Sequence, residues 1–176
     1  MRIGIDVSQL AYSHTGVANY LLQLLKEMVK YEKNEYILFF SSLRQTPPQE
    51  VISLTKLKNV TLKKFRFPPT ALHILWNIVH LTPIEKFVGP VDIFITSDWT
   101  EPPAKKAKKA TILYDLIVYK YPRETADKII KVQKKKLSWV AKESDIVFCI
   151  SESTKTDAEE ILHIDKQKLK VVYPGF

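Results

Sequence analysis

The sequence predicts an α/β domain built on a doubly wound parallel sheet. Short β-branched runs that are nearly continuously apolar recur along the chain, as strands buried on both faces do. They alternate with longer segments whose apolar residues return at helical spacing, the order that covers both faces of a parallel sheet with helices. At 176 residues the chain suffices for one such domain. Its 45% hydrophobic and 26% charged residues exclude a disordered or fibrous chain.

The elements follow in order. Residues 2–7 (RIGIDV) read as a buried strand. From Gly16, the positions Val17, Tyr20, Leu21, Leu24, Leu25, Met28 and Val29 mark a long helix with a polar opposite side. Residues 36–40 (YILFF) are a second strand, and Pro47-Pro48 precede a short helix at 49–56. Residues 60–65 alternate apolar and polar, as a strand with one wet face does. Pro68-Pro69 open an aromatic helix over 71–81, on which His73 and His80 are two turns apart and share a face. Residues 91–95 and 110–113 are strands. The longest helix covers 125–142 and sets Ile129, Ile130, Leu137 and Val140 against a lysine face. Residues 145–150, a helix at 154–162 and a strand at 169–173 complete the pattern.

Several chemistries are excluded. Four glycines leave no G-x-G-x-x-G and no phosphate-binding P-loop. No metal-ligand cluster, catalytic triad or activated cysteine has the required spacing. The single Cys149 lies in an apolar run and reads as a core thiol of a reducing compartment. No run is apolar enough to span a membrane, and the acid at Asp6 comes too early for a signal peptide.

Charge is uneven. Between Lys105 and Lys142 twelve basic residues face three acids, a surplus of nine, so the rest of a +8 chain is left one negative. Runs such as Lys105-Lys106-Ala107-Lys108-Lys109 and Lys134-Lys135-Lys136 are usually solvated surface. Their functional reading is an anionic lipid surface, since nucleic-acid binding favours arginines and interleaved aromatics.

Ligands of doubly wound sheets bind outside the carboxyl ends of the strands, near a switch in strand order. That selects the loops at 8–16, 96–103, 114–121 and 151–154. In the first, Thr15-Gly16-Val17 is a helix entry whose free N–H groups suit an anion or a sugar hydroxyl, or else a plain loop. In the third, Tyr114-Asp115 ends a strand, and Asp115 either orients a sugar hydroxyl or caps the next segment.

These segments, taken in order, resemble the N-terminal half of a family 4 glycosyltransferase of the GT-B fold. Arg2–Asp6 with Thr15–Tyr20 is similar to the family's first strand and glycine loop. Val91–Phe94 is similar to its acceptor-side strand, and Thr111–Leu116 with Tyr121-Pro122 to its histidine–aspartate strand end. Ser144–Asp157 is the most specific match, and Lys170–Gly175 resembles the strand and turn that close the first domain. The resemblance implies a Rossmann-like acceptor-binding domain over residues 1–173, with 174–176 starting a linker to a nucleotide-binding domain that is absent here. It implies a retaining, metal-independent transfer of sugar from a nucleotide sugar to a glycan or lipid-linked acceptor, as in polysaccharide biosynthesis, with no cofactor beyond the donor. Tyr114 and Asp115 then take catalytic places, and Thr15, Gly16, Val17 and Ser151 bind substrate. The chain departs from the family in carrying Tyr114 where members usually have histidine, which keeps a hydrogen-bond donor and removes an imidazole.

The resemblance also gives the basic window a meaning. Lys105, Lys106, Lys108, Lys109 and Trp76 are expected to form a membrane or acceptor surface of a cytoplasmic protein, peripheral on the inner face of the membrane. No nucleic acid is expected as partner. The alternatives are a non-catalytic α/β binding module or one subunit of a two-component transferase.

Overall fold

The computed structural model describes residues 1–12, 14–97 and 99–175. Seven strands form one sheet: β1 (Arg2–Asp6), β2 (Glu35–Ser41), β3 (Val60–Phe65), β4 (Ile93–Thr96), β5 (Lys108–Leu113), β6 (Ile146–Cys149) and β7 (Leu169–Val171). Their order is β3-β2-β1-β4-β5-β6-β7 and every pairing is parallel. Strand order reverses between β1 and β4, so the carboxyl ends of those two strands border the crevice. The expected α/β, doubly wound sheet is present, with all seven expected strands.

The helices are α1 (Gly16–Met28), α2 (Gln49–Leu54), α3 (Pro69–Leu72), α4 (Glu85–Val88), α5 (Ile117–Lys120), α6 (Asp127–Glu143) and α7 (Glu152–Leu162). Thr15 caps α1, its Oγ1 accepting from Ala18 N at 3.2 Å, and Ser151 caps α7, its Oγ accepting from Thr154 N at 3.1 Å.

The aromatic helix differs from expectation. α3 runs into a π-helical stretch, His73–Ile78, in which Val79 N bonds to Ile74 O. A π turn holds more residues than an α turn, so seven residues no longer make two turns. His73 and His80 are parted, and His80 lies past the helix end at φ 56°. The wider turn sends Trp76 inward. Its ring is fully buried against Phe39 at 5.5 Å and Phe87 at 5.4 Å, and Nε1 donates to Thr82 O at 3.1 Å. Trp76 is a core residue, and its expected place on a membrane or acceptor surface is wrong.

β2 is buried on both faces, which explains its unbroken apolar run. Tyr36, Leu38 and Phe40 pack under α1, while Ile37 and Phe39 pack with Trp76 and Phe94. Cys149 is buried in a third cluster with Leu137 and Val140 of α6. Burial pushes its thiol up to about 11, so it stays protonated at neutral pH, as a core thiol does.

Gly4 has a steric role at the centre of the sheet. A Cβ there would stand 2.5 Å from Phe94 Cδ2, and the strand on that side leaves no room. Gly4→Ala is expected to cost about 1–3 kcal/mol through overpacking, read as a lower urea midpoint. An unchanged midpoint would show that Phe94 moves freely.

Candidate functional site

The carboxyl ends of β1, β4 and β5 deliver three loops to one edge of the sheet. After β1 a 3₁₀ turn, Ser8–Ala11, buries Gln9. Gln9 Nε2 lies 3.3 Å from Val17 O and 3.3 Å from Tyr114 Oη. The Val17 carbonyl accepts only, so the amide nitrogen faces it. Tyr114 Oη also lies 2.9 Å from Ser97 Oγ. The Tyr114 ring meets Tyr20 edge-on at 5.7 Å, and Tyr20 in turn donates to Val172 O at 2.9 Å. Burial pushes the Tyr20 phenol up, so it remains a donor. Tyr114 thus joins the turn after β1, the residue after β4 and, at Tyr20, α1.

The same edge gathers the other expected residues. Thr154 Oγ1 donates to Tyr114 O at 3.1 Å and lies 3.0 Å from Ser151 Oγ. This brings the α7 N-terminus beside the strand end. Asp115 is exposed, and its Oδ1 accepts from Ile117 N at 3.0 Å, which is the capping bond, one of the two roles considered for it. Tyr114, Asp115 and Ser97 line a recess of about 240 Å³. Thr15 and Val17 line a larger pocket of about 540 Å³ beside it. At Gly16 a Cβ would meet nothing within 4 Å, so none of the described protein atoms requires glycine there.

The lysines divide. Lys105, Lys106 and Lys108 are exposed, yet they stand where β5 begins, at the amino edge of the sheet and away from the crevice. Glu85 shapes their loop: its Oε1 accepts from the backbone N–H groups of Lys105, Lys106 and Ala107 at 2.8, 2.8 and 3.0 Å. Lys109 is only 6% exposed and pairs with Glu143 at 2.7 Å and Glu101 at 3.2 Å. It belongs to a buried ion network, and its expected surface role is wrong. Lys136, read with its neighbours as a solvated run, is 2% exposed. Its Nζ donates to Thr111 Oγ1 at 3.0 Å and Ser97 O at 3.1 Å, so it holds the floor of the recess.

Sequence reasoning missed Glu101, Asn77 and Trp99. Glu101 is fully buried and accepts from Thr96 Oγ1 at 2.6 Å. Asn77, also fully buried, accepts from Glu101 N at 2.9 Å and donates to Trp99 O at 2.8 Å. It clamps the β4–β5 loop to the π helix. The nearest signal was an asparagine in an otherwise apolar helix face. Burial pushes the His73 imidazole down, favouring its neutral form. Among the described residues no three His, Cys, Asp or Glu side chains stand close enough to hold a metal ion. None of the described helices is long and apolar enough to cross a membrane.

A seven-stranded, all-parallel, doubly wound sheet with a polar tyrosine-centred cluster at its switch point defines a Rossmann-like α/β domain. The family model for Glycosyltransferase Family 4 matches residues 14–176, and the chain belongs to that family. Among solved structures it is similar to a glycosyltransferase from Rickettsia africae ESF-5, with TM-score 0.51 and 16% identity. That match covers 98% of this chain and 42% of the other, so this chain spans about two-fifths of its neighbour's length. At that identity the likeness speaks for the fold. A sequence comparison with curated proteins returned no match.

Glu85 carries a pH signature. Burial raises its carboxyl, but the backbone N–H bonds outweigh burial and the net shift is downward from 4.5. A carboxylate held low in the folded state stabilises above its unfolded value, and the contribution is lost as pH falls below it. Glu85→Gln is therefore expected to be less stable than the parent at pH 7, with the gap closing on acidification through the carboxylate range. Parallel denaturation curves with a gap independent of pH would remove this role.

Proposed function

We propose that the chain is the acceptor-binding half of a retaining, metal-independent glycosyltransferase. The donor nucleotide sugar is held by a nucleotide-binding domain outside these 176 residues. The observation that carries the reading is the Gln9–Ser97–Tyr114 cluster, set at the switch point of a chain of this family. In this reading Tyr114 Oη, held by Gln9 and Ser97, faces the reacting sugar and the exposed Asp115 positions a hydroxyl. Ser151, with the α7 N-terminus, shapes the cleft floor, and Thr15, Gly16 and Val17 border the donor. Catalysis then rests on positioning and on fixed dipoles. The domain division at 173 belongs to the same proposal. A two-component enzyme with the donor site on a separate subunit is a variant of it.

The test is transfer from a panel of nucleotide sugars. The chain alone is expected to turn over none of them. In the native gene product, Tyr114→Phe is expected to lower kcat/KM about 10- to 100-fold, as loss of a hydrogen bond to developing charge does. Transfer by the chain alone would overturn the division of labour. An active Tyr114→Phe enzyme would remove Tyr114 from the chemistry.

We also propose peripheral contact with an anionic membrane at the cytoplasmic face, on a surface other than the one expected. Ile74, Ile78, Val79 and Leu81 are each 50–58% exposed. They flank His80, which stacks on Trp139 of α6 at 3.6 Å, and Lys135 and Lys142 reach over that ring. Aliphatic side chains ringed by lysines suit a bilayer interface. Sedimentation with anionic vesicles at low salt, relieved by high salt, is expected. Absence of low-salt binding would sink this contact.

A further inference from the structure

The pocket of about 540 Å³ is more than twice the size of the Tyr114 recess of about 240 Å³ beside it. Its walls are mainly Tyr12, Val17, Pro69, Trp99, Ile129 and Val132. Small-molecule sites run to about 300–1,000 Å³ and are mostly apolar with a few fixed polar groups, so its size and chemistry suit a ligand. Tyr12, Trp99 and Ile129 are 53%, 38% and 40% exposed, apolar surface that a ligand would cover.

The pocket is continuous with the polar cluster. Val17, Trp99 and Ile129 line both it and the Tyr114 recess, and Gln9, which lines the pocket, bonds to Tyr114. Its polar fittings are chosen for neutrality. Asn77 Oδ1 accepts from Glu101 N, so its Nδ2 is the group 3.0 Å from His73 Nδ1. That nitrogen must then accept, and the ring proton sits on Nε2. His73, one of the lining residues, is therefore neutral with its proton on Nε2, in keeping with burial disfavouring its charged form. Among the described lining residues the one lysine or arginine is Lys128, exposed at the start of α6.

We infer that the acceptor is an amphipathic glycoside: its sugar lies at Tyr114 and Asp115 and its apolar aglycone fills the Trp99–Ile129 pocket. This rests on the acceptor-side reading above and narrows its substrate class. A bare glycan would leave the apolar walls wet, and an anionic acceptor would find one exposed lysine among the described lining residues.

The test is titration calorimetry of the full chain with paired methyl and octyl glycosides of glucose, galactose, mannose and N-acetylglucosamine, all below micelle formation, with octanol as a further arm. One octyl glycoside is expected to bind at least tenfold tighter than its methyl partner. Intermediate chain lengths should gain about fourfold per methylene until the pocket is full. Val132→Asn, at a wall of the pocket that the Tyr114 recess does not share, checked for folding by circular dichroism, should flatten the chain-length gain and leave methyl glycoside binding in place. Equal binding of a methyl and octyl pair would overturn the aglycone site while leaving the acceptor reading intact. Octanol binding as tightly as the octyl glycosides would overturn the link between pocket and sugar. No binding by any glycoside would overturn the acceptor reading itself, and this inference with it.

Discussion

The geometry of the crevice depends on one buried carboxylate. Parallel neighbours β4 and β5 are joined by residues 97–107, and among the described residues of that segment there is no helix to carry the crossover. Glu101 takes the helix's place. It is fully buried, held by Thr96 Oγ1, the Lys109 ammonium and, through its backbone N–H, Asn77. Burying such a pair is costly and adds little net stability, yet removing one partner leaves a charge stranded at about 3–5 kcal/mol. The network therefore specifies one path for the loop. Ser97 and Trp99 are presented to the crevice because Glu101 and Asn77 pin the chain just beyond them.

The network reaches further. Lys109 also pairs with Glu143 at the end of α6, and Glu143 meets His80 Nε2 at 3.0 Å. Burial would raise the Glu143 carboxyl, but Lys109 and His80 together hold it down. The π-helical stretch, α6 and the β4–β5 loop are thus tied at their far ends by charge. At their crevice ends they diverge, and the apolar pocket lies between them. The same helices that close the domain at the amino edge hold it open at the carboxyl edge.

Periodicity made the fold legible because each inner strand is buried on two faces and the edge strands β3 and β7 on one. It located the site loops as well, since the carboxyl ends of strands follow from the strands. It failed where a side chain's environment comes from residues distant in sequence. Lys109 and Lys136 sit in runs with exposed neighbours, and only the fold puts Glu101 beside one and Thr111 beside the other. Trp76 and the two histidines were misplaced for a local reason: the π turn shifts every phase after Leu72, and a period of 3.6 cannot register it. Asp115 and Ser151 were found at the right edge, while their present bonds are caps, a function any strand-to-helix junction needs.

The distribution of chemistry over the two edges follows from the parallel sheet. At the amino edge the chain collects charge that balances itself: Glu85 takes three backbone N–H groups, and Asp145 and Asp92 accept from Lys109 N and Arg2 N. Carboxylates there terminate strands by capping free amides, so that edge is satisfied and closed. At the carboxyl edge, hydroxyls and an amide, Ser97, Tyr114 and Gln9, meet beside aromatic walls, with Asp115 exposed at the same recess. Neutral donors and acceptors next to apolar surface match a sugar joined to something less polar.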